Sequence, residues 1–126
     1  MSYVNILRAG SDHTIWVKGL EFYRDELDIM NKRLLDVSGK NTMEEARKGV
    51  EHFQNQFMIQ QKNISDLRHQ VNSYVRGLSN DARAHDGHVD AIFITQGEGL
   101  KQRYEQLEQI MNSLRREFNE FLSKWM

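Results

Sequence analysis

Apolar residues recur along this chain at alternating intervals of three and four positions, the spacing that places side chains on one face of an α-helix. The first such stripe predicts a helix over residues 12–38, with Asp12 as its N-cap and Ser38-Gly39 at its end. The stripe contains His13, Trp16, Leu20, Tyr23, Leu27, Met30, Leu34 and Val37. Its regularity is also typical of a coiled coil.

Two further stripes predict helices over residues 43–78 and 82–126. Turn-forming residues between Gly77 and Asp81 indicate the end of the second helix. In the third helix, Gly97 and Gly99 each cost about 1 kcal/mol relative to alanine. A break at these glycines, which would give a four-helix count, is therefore the alternative to one long third helix.

Together the stripes predict an all-α fold, an antiparallel up-down bundle of three long helices. Residues 1–126 would form a single domain, with residues 1–11 as an N-terminal extension. The chain contains no proline, which agrees with long helices because proline breaks a helix interior. A domain of this length can bury a sizeable core without a metal ion or disulfides.

A second, narrower stripe on the first helix consists of Ile15, Phe22 and Ile29, which are seven residues apart. It lies about 100° around the helix from the main stripe, so this helix should contact neighbours on two sides. Trp125 adds an aromatic side chain near the C-terminal end. We expect these four residues to be buried against a protein partner, most simply in a homo-oligomer.

The charge pattern gives no sign of nucleic-acid or membrane binding. Seventeen basic and eighteen acidic residues alternate along the chain and leave a net charge of -1. No apolar run approaches the length of a membrane span, and residues 1–10 do not resemble a signal peptide. These features predict a cytoplasmic protein. The absence of cysteine excludes thiol chemistry and zinc-thiolate sites.

The histidines suggest a metal-binding alternative. Their order resembles that of the hemerythrin-like family, which has a lone histidine, a histidine-carboxylate pair, further histidines and a His-x-x-x-x-Asp pair. The matching residues are His13, His52 with Gln56, His69, and His85 with Asp90. The resemblance implies a metal-binding bundle of hemerythrin-like or ferritin-like kind. The chain departs from the pattern at Gln56, where the family has a carboxylate, and at Ser73, where a second histidine would follow His69.

The predicted positions of the histidines bear on the choice between a metal site and ordinary surface histidines. His52 and His69 share one predicted helix, about 25 Å apart along its axis, and both are expected to face solvent. By contrast, His13, His85 and His88 are expected near the same end of the bundle. There they either bind a divalent transition metal or stabilise a turn, and the sequence leaves both alternatives open.

No catalytic motif is present, and no catalytic residue, metal ligand or cofactor is assigned. A histidine phosphotransfer domain is a further alternative, although Lys18-Gly19 stand two positions too far from His13 for the pattern of that class. The sequence therefore predicts a small non-catalytic protein-protein interaction or scaffold module that self-associates.

Overall fold

The computed structural model describes the backbone of residues 3–84 and 88–126, and the side chains of residues 13–84 and 91–126. The described residues form three helices, α1 (Ile6–Lys40), α2 (Glu44–Ala84) and α3 (Ile92–Trp125). Apart from two three-residue strands, all regular structure in these ranges is helical. The predicted all-α class is therefore confirmed.

The two strands were not expected from the sequence. β1 (Tyr3–Asn5) pairs antiparallel with β2 (His88–Asp90), with Tyr3 opposite Asp90. The ladder joins the segment before α1 to the connection between α2 and α3. α1 follows β1 directly at Ile6, so Asp12 lies inside the helix and the prediction that it is the N-cap is wrong.

The main apolar stripe of each helix is buried, and together they form one core. Its largest fully buried side chains include Phe57 of α2, Phe118 of α3 and Leu27 of α1. The Phe118 ring meets the rings of Phe53 and Phe57 at centroid distances of 5.2 Å each. Such edge-to-face pairs add to the free energy gained by burying the rings.

Both glycine signals that predicted helix ends lie inside continuous helices. α2 continues past Gly77 to Ala84, so residue 82 belongs to α2 and not to the start of the third helix. α3 is unbroken through Gly97, so the four-helix alternative is wrong for the described residues. In both places an aromatic ring from the other helix occupies the space that a side chain would need. A Cβ at Gly77 would lie 3.0 Å from the Phe93 ring, and one at Gly97 would lie 2.6 Å from Tyr74 Oη.

The end of the molecule near the α1–α2 connection is held by one asparagine. Asn41 Nδ2 donates hydrogen bonds to the carbonyl oxygens of Val37 and Trp125, each at 3.0 Å. The side chain thereby adds a second hydrogen bond to the Val37 carbonyl oxygen, which also accepts one from the Asn41 backbone N–H, and it satisfies a carbonyl in the last turn of α3. Asn41, in the connection between α1 and α2, thus joins the end of α1 to the end of α3.

Candidate interaction surface

The structure places Ile15, Phe22 and Ile29 in a line on the outside of α1. Their exposed fractions are 63%, 58% and 57%, so each large apolar side chain is mostly in contact with solvent. The line spans about 21 Å along the helix axis. We call these three residues the outer stripe.

A shallow groove of about 460 Å³ lies between α1 and α3 beside the outer stripe. Phe22 and Ile29 form one wall, so the stripe and the groove are continuous. We call this depression the outer groove. Its complete lining is Phe22, Asp25, Glu26, Ile29, Met30, Arg33, Arg115, Phe118, Asn119 and Leu122.

An ion pair joins α1 to α3 across the outer groove. Arg115 Nε lies 2.5 Å from one oxygen of Glu26, and Arg115 Nη2 donates to the other oxygen at 2.7 Å. Arg115 Nη1 also donates to Asn112 Oδ1 at 2.8 Å. Because a planar guanidinium fits a carboxylate with two parallel hydrogen bonds, this pair sets both the spacing and the register of the helices. The hydrogen bond to Glu26 raises the pKa of Arg115.

Two tyrosines lie further along the same helix pair. Tyr23 Oη donates to Glu108 Oε2 at 3.3 Å, and the rings of Tyr23 and Tyr104 are 6.4 Å apart between centroids. Burial, followed by the nearby Glu108 carboxylate, raises the pKa of Tyr23 to about 12. Burial and Glu108 also raise the pKa of Tyr104. Both phenols therefore stay neutral at physiological pH, and Tyr23 acts as a packed hydrogen-bond donor.

Trp125, the fourth predicted interaction residue, lies apart from the outer stripe. Its side chain is partly buried against the chain's own core, and its carbonyl oxygen accepts the hydrogen bond from Asn41. Lys124 Nζ lies 5.3 Å from the centre of the indole ring and 2.7 Å from Glu45 Oε1. The structure thus docks the end of α3 on its own chain, and contact between Trp125 and a second chain stays a prediction.

The predicted metal ligands are not brought together in the part of the structure that describes side chains. His52 and His69 are both exposed, and α2 is unbroken between them, so they cannot reach a common centre. Among residues 13–84 and 91–126, no three histidine, aspartate or glutamate side chains are placed to hold a metal ion. His85 and the side chain of His88 lie outside the described residues.

His13 and His69 do line one groove, between α1 and α2, together with Lys18, Glu21 and Arg76. His13 Nδ1 is buried there without a hydrogen-bond partner. His69 is exposed on the rim. Among the described residues that line the groove, these two are the only histidines.

Sequence reasoning missed the residues that hold the outer groove in shape. Glu26 and Arg115 are 89 positions apart, and neither belongs to an apolar stripe. A periodicity argument describes one helix at a time, so no local signal could have paired them. Sequence reasoning also did not identify Met58 and Ile59 of α2, two exposed apolar residues that lie outside the buried stripe of that helix.

Fold and surface together define an all-helical protein that presents an aligned apolar stripe on its first helix. None of the described helices combines the length and the apolar character needed to cross a membrane. The chain matches no protein-family model, no curated protein and no solved structure.

Proposed function

We propose that this protein is a non-catalytic protein-protein interaction module, an antiparallel up-down three-helix bundle that self-associates through the outer stripe and the outer groove. One observation carries the proposal: Ile15, Phe22 and Ile29 are aligned on one face and each is more than half exposed. Exposed apolar side chains aligned on one face and flanked by charged residues are typical of protein interaction sites.

Interhelical contacts support the bundle topology. Tyr104 and Arg115 of α3 meet Tyr23 and Glu26 of α1, and Trp125 meets Asn41 just after the end of α1, so the numbering rises together in both helices. Along α2 the order is reversed, because residues 93, 118 and 124 of α3 meet residues 74, 57 and 45. These contacts favour α1 and α3 running in one direction and α2 in the other.

The energetics favour a weak association. Covering the exposed part of each stripe side chain contributes roughly 1–2 kcal/mol. Association costs about 4–15 kcal/mol in lost freedom of motion. Three such side chains on each of two copies give a gain of the same order as that cost. With the largest gain and the smallest cost, about 8 kcal/mol remain, which corresponds to a dissociation constant in the micromolar range and sets the tightest association expected.

The groups with displaced pKa values support a non-catalytic role. Tyr23, Tyr104 and Arg115 are such groups, and their shifts arise from burial, from the Glu108 carboxylate beside the two tyrosines, and from the hydrogen bond between Arg115 and Glu26. Catalytic groups instead need a pKa close to the working pH and access to a substrate. The raised pKa values of Tyr23 and Tyr104 lie further from that range than those of ordinary tyrosines.

Sedimentation equilibrium tests the proposal. Wild-type protein is expected to form a dimer at micromolar concentration, and Phe22→Ser and Ile29→Ser are expected to shift it to monomer. Leu35→Ser is the matched control, since Leu35 is also on α1, is 64% exposed and lies about 120° around the helix from Ile29. A wild-type monomer, or equal effects of Ile29→Ser and Leu35→Ser, would reject the proposal.

A metal-binding bundle is the second candidate function, because His13 and His69 line one groove and His13 Nδ1 has no hydrogen-bond partner. Elemental analysis of protein purified without a histidine tag tests it. Stoichiometric iron, manganese or zinc that is lost in His13→Ala would favour this candidate. The proposed location of either form is the cytoplasm, which cell fractionation would test.

A further inference from the structure

We infer that the second copy binds with its α1 antiparallel to the first, with a two-fold axis passing beside Phe22. The inference rests on the proposed self-association and specifies the arrangement of the two copies. Two features support this arrangement. The apolar residues of the outer stripe are symmetrically spaced, and the charged residues beside the stripe are asymmetrically placed.

The spacing limits how two outer stripes can meet. Ile15 and Ile29 each lie seven residues from Phe22, in opposite directions. An antiparallel pairing centred on Phe22 therefore places Phe22 against Phe22 and Ile15 against Ile29 of the second copy. Shifting this pairing by seven residues leaves an isoleucine of each copy without an apolar partner. A two-fold contact of this kind is self-complementary and closes as a dimer.

A parallel pairing in register would also match the apolar residues, but the charges oppose it. Lys18 is exposed four residues before Phe22, and Asp25 is exposed three residues after it. In a parallel pair Lys18 would lie beside Lys18 of the second copy, and Asp25 beside Asp25. The antiparallel pair instead brings Lys18 within about one residue's rise of Asp25 of the second copy. Like charges brought together disfavour the first arrangement, and opposite charges favour the second.

Asp25 is the acidic group available for this contact. The neighbouring Glu26 is held by Arg115, and its side chain is only 16% exposed. The Asp25 side chain is 67% exposed and forms an ion pair with the adjacent Arg24 at 3.5 Å. An exposed pair of this kind contributes little, so Asp25 can exchange it for Lys18 of a second copy.

Charge reversal separates the two orientations. In the antiparallel dimer, Lys18→Glu places two acidic groups together at both symmetric contacts, so the dimer dissociation constant should rise by about tenfold at low salt. Adding Asp25→Lys to the same chain restores opposite charges and should restore wild-type affinity. In a parallel dimer each reversal only exchanges one pair of like charges for another, and affinity would stay unchanged.

Cysteine exchange gives an independent readout, because the wild-type chain contains no cysteine. Ile15→Cys and Ile29→Cys chains are mixed, oxidised and digested with trypsin, and the disulfide-linked peptides are identified by mass. The antiparallel arrangement predicts the mixed product, whereas the parallel arrangement predicts products of each variant with itself. Phe22→Cys should couple with itself in either case and controls for oxidation.

The outcomes distinguish this inference from the proposed function. A dimer that is lost in Phe22→Ser but is insensitive to Lys18→Glu, and that yields only same-site disulfides, would overturn the antiparallel arrangement and keep self-association. A wild-type monomer would overturn both and leave the outer stripe to a different protein. Loss of affinity in Lys18→Glu, recovery with Asp25→Lys and a mixed disulfide are the results we expect.

Discussion

The hydroxyl group of Tyr104 on α3 lies directly over the backbone of Gly19 on α1. A Cβ at position 19 would lie 1.7 Å from Tyr104 Oη and 2.7 Å from its Cζ, so even alanine does not fit without movement. Gly49 receives the ring of Phe121 in the same way, with a Cβ distance of 2.3 Å. Gly19 and Gly49 are therefore places where a ring from a neighbouring helix approaches the backbone.

Gly19→Ala is expected to destabilise the protein by about 1–3 kcal/mol, because the added methyl group must displace the buried Tyr104 side chain. Gly99→Ala is the matched control, since nothing lies within 4 Å of a Cβ at that position of α3. There the gain in helix propensity should stabilise the protein by about 1 kcal/mol. Urea unfolding measures both, and equal shifts of the midpoint would contradict the close contact at Gly19.

Gly97→Ala should be coupled to Tyr74, whose Oη would lie 2.6 Å from the added Cβ while its Cζ lies at 3.3 Å. In the wild-type background the clash offsets the gain in helix propensity. In a Tyr74→Phe background the oxygen is gone, so Gly97→Ala should become stabilising. A double-mutant cycle by urea unfolding is expected to give a coupling energy of about 1 kcal/mol. Additive effects would show that Tyr74 moves aside freely.

Glu26→Gln is expected to lower the free energy of unfolding by about 1.5–3 kcal/mol, because it removes the charge that binds Arg115 in a partly buried site. The control is Glu44→Gln, which breaks a pair with Lys48 at 3.6 Å whose side chains are 85% and 75% exposed. That change should cost less than about 0.5 kcal/mol. Both variants are compared by urea unfolding at one protein concentration, and similar costs would argue against a structural role for the Arg115 pair.

The raised pKa of Tyr23 predicts that the folded protein loses stability in strong base. Its pKa is about 12 in the folded protein against an ordinary value of 10.0, so the unfolded chain releases the phenolic proton first as the pH rises. The contribution of Tyr23 to the free energy of unfolding is complete below about pH 10. It declines by about 1–2 kcal/mol as the pH rises towards 12. Thermal unfolding between pH 9 and roughly pH 12 measures it. The decline should be shallower in Tyr23→Phe, and parallel curves for the two proteins would contradict the burial of this phenol.

Periodicity predicted the helices well because it is a local property. The main stripe of α1, from Trp16 to Val37, is buried as expected, and Ile15, Phe22 and Ile29 are aligned on a separate face. The same reasoning placed His52 and His69 on the exposed side of α2. Each of these results depends only on the rotation between successive residues of one helix.

The helix end predicted at Gly77 and the break considered at Gly97 were wrong because the effect of a glycine is not a local property. Taken alone, Gly77 and Gly97 weaken a helix, and the turn residues after Gly77 and the second glycine after Gly97 favour an end or a break. In the structure these positions admit the rings of Phe93 and Tyr74, so packing offsets the propensity cost. The sign of a glycine's effect thus depends on a residue far along the chain or in another helix.

By itself, the order of residues determined that the chain is helical, which face of each helix is buried, and that the first helix keeps a second apolar face. Only the tertiary structure decided that the third helix is unbroken, that β1 pairs with β2, and that Glu26 meets Arg115 beside the outer groove. The physical reason is distance along the chain: a helix and its faces arise from neighbours within a turn, whereas these contacts join residues brought together by packing.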